Sequence, residues 1–224
     1  MSEPKAFRFP TDTEHIAIFG RNGSGKTQFA TWMLSERSYD KMPWIVLNFK
    51  GDDLIDEING AKPFDIDSAI PKRPGIYVSD AGIHDKDDAE RLDAFFHRAW
   101  EKQNVGIYVD EGYMASGLKW FRACMSQGRS RHVPLMVLSQ RPVWMDRFVW
   151  SEASLFVAFD LNLQDDKDTA DRMIIGYRKV RLQPFHAVYH DVKADRTCIL
   201  TPCPDRDSIL KRFRERNRVV HKAL

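Results

Sequence analysis

Eight consecutive residues, Gly20-Arg21-Asn22-Gly23-Ser24-Gly25-Lys26-Thr27, follow the pattern G-x-x-x-x-G-K-S/T. Glycines at 20, 23 and 25 let the backbone turn tightly and aim its N–H groups at phosphate oxygens. A buried-strand pattern precedes the loop and a helical pattern follows it. The positive end of that helix dipole therefore adds to the same anion site. Lys26 would pair the β- and γ-phosphates and the Thr27 hydroxyl would ligate Mg²⁺, with Gln28 completing the cradle. The chemistry implied is the binding of a nucleoside triphosphate with Mg²⁺. What the energy is used for does not follow from the loop.

Two further groups narrow that chemistry. The run "VGIYVDEG" (105–112) is an apolar strand ending in Asp110-Glu111. Asp110 would hold Mg²⁺ at the carboxyl end of a buried strand, and Glu111 would polarise a water for in-line attack on the γ-phosphate. A glutamate directly after the Mg²⁺ aspartate favours hydrolysis over phosphoryl transfer to a small acceptor. The run "VLSQRP" (137–142) ends the next strand. If that strand lies between the other two, Gln140 faces the γ-phosphate and can report its presence.

These groups need elements to position them. Strand-like runs occur at 15–20, 43–50, 74–79, 105–111, 134–140 and 154–161. Their Val/Ile/Leu/Phe-rich, non-alternating character suits strands buried on both faces. Helical patterns fall at about 25–36, 86–103, 115–130, 143–151 and 165–175. Such alternation predicts an α/β domain with a mostly parallel central sheet flanked by helices. Residues 51–73 are polar and proline-broken, which predicts irregular chain with one helical turn at most. After Gly176, "FHAVYHDVKADRTCIL" predicts a β-hairpin turning near Ala194-Asp195, and a basic helix follows. The whole of 1–224 reads as one domain, with a core at about 14–176 and the hairpin and basic helix at about 177–224.

Bulk properties exclude several classes. At 224 residues, with 43% hydrophobic and 29% charged residues, the chain has the composition of a soluble globular domain. A net charge of +2 announces no nucleic-acid partner by itself. Cys124, Cys198 and Cys203 form no even framework or CxxC pair, so reduced thiols made in a reducing cytosol are expected. No apolar run approaches the ~18 residues of a membrane span, and the N-terminus lacks a signal-peptide core. His186 and His190, four apart in a strand pattern, form no transition-metal set.

Four blocks in order, "GRNGSGKT", "LNFKGDD", "IYVDEG" and "GRSRHVPLMVLSQRP", give the chain a family likeness over about residues 14–142. They resemble the FtsK–HerA superfamily of DNA-pumping P-loop ATPases. Asn48 stands where that family often has an aspartate. The resemblance implies a RecA-like (ASCE) fold and a ring, usually a hexamer, whose sites lie between subunits. It also implies a trans-acting arginine finger, for which Arg129 is the first candidate and Arg131 the second. Such a finger neutralises charge developing on the transferred phosphoryl group. The chain carries little beyond the motor, as do the genome-packaging ATPases of tailless, membrane-containing, tectivirus-like phages. The function so implied is Mg-ATP-driven packaging of double-stranded DNA into a preformed capsid. Its partners would be capsid vertex or portal proteins, its place the host cytoplasm and the packaging vertex of the virion. ATP rather than GTP rests on the resemblance.

DNA contacts are less sharply marked. Residues 206–222 hold seven Lys/Arg, including Arg212, Arg214, Arg216 and Arg218, against Asp207 and Glu215. This cluster could bind phosphates, dock on an acidic protein patch or be a solvated helix. Loops 80–88 and 112–120 are pore-loop candidates, with Lys119 and Trp120 as contacts or as ordinary packing. Other motors and enzymes remain alternatives. A Zot-like extrusion ATPase would ordinarily add a membrane span. A small-molecule kinase would need an acceptor pocket and an Arg-rich lid, and a GTP switch would need N-K-x-D.

Overall fold

The structure is a computed structural model describing residues 7–79 and 86–222, with the last side chains described at Asn217. The strands are β1 (Ile16–Phe19), β2 (Pro43–Leu47), β3 (Lys62–Pro63), β4 (Gly75–Ser79), β5 (Gly106–Val109), β6 (Leu135–Ser139), β7 (Leu155–Ala158), β8 (Ala187–Asp191) and β9 (Arg196–Leu200). The helices are α1 (Lys26–Ser35), α2 (Asp53–Asp56), α3 (Lys86–Lys102), α4 (Lys119–Arg131), α5 (Arg147–Glu152), α6 (Gln164–Met173) and α7 (Arg206–Lys222). All described strands join one sheet in the order β3-β4-β2-β5-β6-β1-β7-β8-β9. The first seven run parallel, and the hairpin β8–β9 adds antiparallel to β7.

The layering follows from side-chain alternation along each strand. Ala17, Phe19, Ile45, Leu47, Ile107, Val109, Leu135 and Val137 face α3 and α4, where Phe95, Phe96 and Phe121 fill the space. Ile16, Ile18, Trp44, Val46, Tyr108, Met136 and Leu138 face the other way, onto Phe29, Met33 and Leu34 of α1 and Ile209 and Phe213 of α7. The central strands β1, β2, β5, β6 and β7 are thus buried at every position because each face has its own apolar layer. Among the described residues no helix is long and apolar enough to cross a membrane, and the three cysteines are free thiols.

The expected elements are present, with local differences at three places. The 115–130 helix begins only at Lys119, because a 3-10 turn at Gly112–Ala115 intervenes. The 143–151 helix divides into a 3-10 turn at Pro142–Trp144 and α5, whose N-cap Asp146 accepts the Phe148 N–H at 3.0 Å. Segment 51–73 contains the helical turn α2 and also a two-residue edge strand, β3, too short for any periodicity to mark. Residues 80–85 of one pore-loop candidate lie outside the described residues.

Candidate active site

The phosphate loop occupies the carboxyl edge of β1. The Gly20 N–H reaches Ser139 O of β6 at 3.2 Å and the Arg21 N–H reaches Asp160 O at 3.0 Å, suspending the loop between β6 and the chain after β7. Gly20 is packed so closely that a Cβ would lie 2.5 Å from Phe159 Cβ. Gly23 and Gly25 have φ of 72° and 94°, the left-handed region in which glycine is unstrained. Arg21 pairs with Asp160 at 2.9 Å on the surface, and Asn22 is exposed. Ser24 Oγ is buried without a hydrogen-bond partner. Lys26 is 5% exposed, and burial, followed by the charge of Lys50, holds its pKa down. Thr27 follows in the first turn of α1, and Gln28 Nε2 donates to Pro204 O at 2.8 Å, fastening the loop's helix to the segment before α7.

Asp110 and Glu111 leave the carboxyl edge of β5, two strands away, and β6 with Gln140 lies between. Both acids are buried, and Glu111 has φ 61° and ψ 68°. A left-handed non-glycine residue at a strand end is a strained placement typical of functional positions. Gln140 Nε2 donates to Glu111 Oε1 at 2.9 Å. Lys50, three residues beyond β2, forms an ion pair with the same oxygen. Glu111 Oε2 and Asp110 Oδ1 are buried and lack partners. Burial, then the neighbouring Glu111, raises the Asp110 carboxyl to about 6. Unpartnered buried carboxylate oxygens are donors that a hard divalent cation takes. The unpartnered Asp110 Oδ1 therefore fits Mg²⁺, which Asp110 and Thr27 would hold.

The sequence-predicted residues fall into two groups. Lys26, Thr27, Asp110, Glu111 and Gln140 meet at one edge of the sheet. Arg129 and Arg131 stand at the other edge, where β1, β6 and β7 begin. Arg129 Nη2 donates to Ser154 Oγ at 2.5 Å, and the Ser154 N–H in turn reaches His15 O at 3.0 Å. The Arg131 guanidinium lies 3.4 Å over the Trp100 ring and donates to Trp100 O at 3.3 Å. Lys119 Nζ sits 4.8 Å over the Trp120 ring, which stacks on His97 at 3.8 Å between centroids. In α7, Arg212 pairs with Glu36 and Arg216 with Asp40. Arg214 is exposed, and the side chain of Arg218 lies outside the described residues. Lys50 is the site residue whose role sequence reading missed. Its signal was available in the "NFKGDD" block, but its partner is 61 residues away.

A glycine-rich loop on β1, an acid pair ending β5 and a glutamine ending the strand between them define a RecA-like P-loop NTPase. No protein-family profile matches the chain. Over 220 residues it is 40% identical to the DNA packaging ATPase P9 of Enterobacteria phage PRD1, covering 92% of this chain and 94% of that protein. The chain therefore belongs to the viral DNA-packaging ATPases, the family of that phage protein. Solved structures extend the likeness in fold. The genome packaging NTPase B204 of Sulfolobus turreted icosahedral virus 2 superposes with a TM-score of 0.68 at 17% identity, over 88% of this chain and all of that one. EssC ATPases 2 and 3 of Geobacillus thermodenitrificans superpose with a TM-score of 0.64 at 11% identity, over 94% of this chain and 45% of that one.

Proposed function

We propose that this chain hydrolyses Mg-ATP to drive double-stranded DNA into a preformed viral capsid, working as a ring, most simply a hexamer. The observation that carries this reading is the meeting of Lys26, Asp110, Glu111 and Gln140 across β1, β6 and β5. The loop N–H groups and Lys26 would bind the phosphate chain, and Thr27 and Asp110 would hold Mg²⁺, which neutralises charge on the β- and γ-phosphates. Glu111 orients the attacking water and takes its proton, while Gln140, bonded to Glu111, faces the same space. The DNA, the capsid vertex or portal partner, and residence in host cytoplasm and virion are supported by kinship with the PRD1 packaging ATPase. DNA contacts would be to the sugar–phosphate backbone, since a packaging motor must accept any sequence.

The test is phosphate release by the purified chain with and without linear double-stranded DNA of unrelated sequences. Activity is expected to rise with any such DNA. Lys26→Ala and Glu111→Gln should each lower turnover by about 10²–10³-fold, the range for removing one charge-stabilising or proton-accepting group. Glu111→Gln should still bind ATP. Transfer of phosphate to a small acceptor, or indifference to DNA in every oligomeric state, would overturn the reading.

A further inference from the structure

Lys50 occupies a built position. Its turn leaves β2 directly beside β5, the strand that delivers Asp110-Glu111. Asn48, itself buried, accepts the Asp52 N–H at 2.9 Å through Oδ1 and donates to Asp56 Oδ1 at 3.0 Å through Nδ2. The Asn48 N–H reaches Ser79 O at 2.8 Å, and the Asp52 carboxylate caps α2 by accepting the Leu54 N–H at 3.0 Å. The backbone on both sides of Lys50 is thereby fixed, while the Lys50 side chain, 38% exposed, keeps freedom to swing.

Its present partner is Glu111 Oε1, which also accepts from Gln140, so two donors converge on one oxygen while Oε2 has none. Lys50 is also among the charges that act on Lys26 and on Asp110. Two ammonium groups, Lys26 and Lys50, thus act there with three carboxylates, Asp110, Glu111 and Asp52. A triphosphate entering the pocket brings more negative charge than Glu111 offers, and two cations side by side form a favourable receptor for that charge. Glu111 must stand close to the γ-phosphate if it is to hold the attacking water. A lysine touching Glu111 is therefore within one side-chain rotation of the γ-phosphate oxygens.

We propose that Lys50 is a second cation for the γ-phosphate of ATP, exchanging Glu111 Oε1 for a γ-phosphate oxygen when the triphosphate binds. This rests on the ATPase reading above and deepens it. The exchange has two effects in one movement: it adds positive charge where the transition state gathers negative charge, and it frees Glu111 to accept a proton. In the step itself the water oxygen bonds to Pγ and the bond from Pγ to the β,γ-bridging oxygen breaks, its electron pair remaining on ADP. The water proton passes to Glu111, and Lys50 keeps its own throughout. When phosphate leaves, Lys50 returns to Glu111, so the restrained state belongs to the chain without a γ-phosphate.

The experiment compares ATP and ADP binding and single-turnover hydrolysis in wild type, Lys50→Met and Lys50→Arg. Lys50→Met is expected to weaken ATP binding by about tenfold, the worth of one charge-assisted hydrogen bond, with ADP affinity unchanged. Hydrolysis should fall by about 10²–10³-fold, and Lys50→Arg should recover part of both losses. The single variant leaves Glu111 buried without its cation, so Lys50→Met is also made in the Glu111→Gln background. There the ATP-selective loss must persist relative to Glu111→Gln alone. Faster hydrolysis in Lys50→Met would show that the lysine only restrains Glu111, and equal losses for ATP and ADP would place it away from the γ-phosphate; either result overturns the proposal. Failure of wild type to hydrolyse ATP would instead sink the ATPase reading, and the ATP/ADP binding split would still decide whether Lys50 senses a γ-phosphate.

Discussion

His15, at the foot of β1, accepts the Leu135 N–H through Nδ1 at 2.9 Å and is fully buried. Burial, then the charge of Arg129, pushes its pKa down to about 3. An unfolded histidine titrates near ~6.5. Between those values the unfolded chain binds a proton that the folded chain refuses, so stability is lost as pH falls from 6.5 towards 3. The expected slope is about 1.4 kcal/mol per pH unit for this one proton. His15→Gln, which cannot titrate, should flatten the fall of unfolding free energy between pH 6 and 4.5, whatever its stability at pH 7.5. An unchanged slope would assign acid sensitivity to other groups. Legibility at this scale depended on how local the signal was. Lys26 and Thr27 are fixed by an eight-residue pattern, and Asp110, Glu111 and Gln140 by their places at strand ends. Lys50 could be noticed but not assigned, because only the adjacency of β2 and β5 brings it to Glu111.

Helix α7 shows how an element with a plain sequence can hold more than one role. Ile209 and Phe213, four apart, are fully buried against the α1 side of the sheet, and Phe213 meets Tyr39 at 6.0 Å between ring centroids. On its flanks Arg206 pairs with Glu57 at 2.8 Å, Arg212 with Glu36 and Arg216 with Asp40 at 3.3 Å. Much of the basic cluster is thus engaged within the chain, although such half-exposed pairs contribute little stability. Phe213→Ala should cost about 3–5 kcal/mol of stability, read from chemical denaturation, because it empties a closed apolar site. Arg214 points to solvent, and Arg214→Ala should leave stability unchanged. It should lower double-stranded DNA affinity and reduce the log–log salt slope by about one. Unaltered DNA binding would leave α7 a packing element only. At the level of elements the long strands, helices and hairpin were legible because burial on two faces writes continuous apolar runs. Strand β3 was not, since Lys62–Pro63 earns its place only by pairing with Tyr77 and Val78 of β4. The 3-10 turn at Pro142–Trp144 is absorbed into a helix, because it is closed by local backbone bonds, Trp144 N–H to Arg141 O and Met145 N–H to Pro142 O, that leave no mark in periodicity.

For the whole molecule, the proposed reaction would draw on both edges of the sheet. The phosphate loop and Glu111 lie where the parallel strands end, and Arg129 lies where β1 and β7 begin. Four strand residues at about 3.3 Å each separate the two edges by about 13 Å, so Arg129 does not reach the phosphates of its own subunit. Its oxygen partners within the chain are neutral, Ser154 Oγ and Glu152 O, and a phosphate on a neighbouring copy would be a stronger acceptor. Arg131 is committed more firmly to Trp100 by both its ring face and its carbonyl. In the proposed ring of head-to-tail contacts, Arg129 of each subunit would act at the next subunit's site. Complementation tests this more sharply than loss of activity. Glu111→Gln subunits lack the base but keep Arg129; Arg129→Ala subunits lack the finger but keep Glu111. Each variant alone should be nearly inactive. In an equal mixture, half the sites have Glu111 and half of those face an intact Arg129, so activity should recover to about one quarter of wild type if sites act independently, and less if they fire in concert. Were Arg129 to act within its own subunit, no mixture of the two variants would contain a complete site, and no recovery would be seen at any ratio.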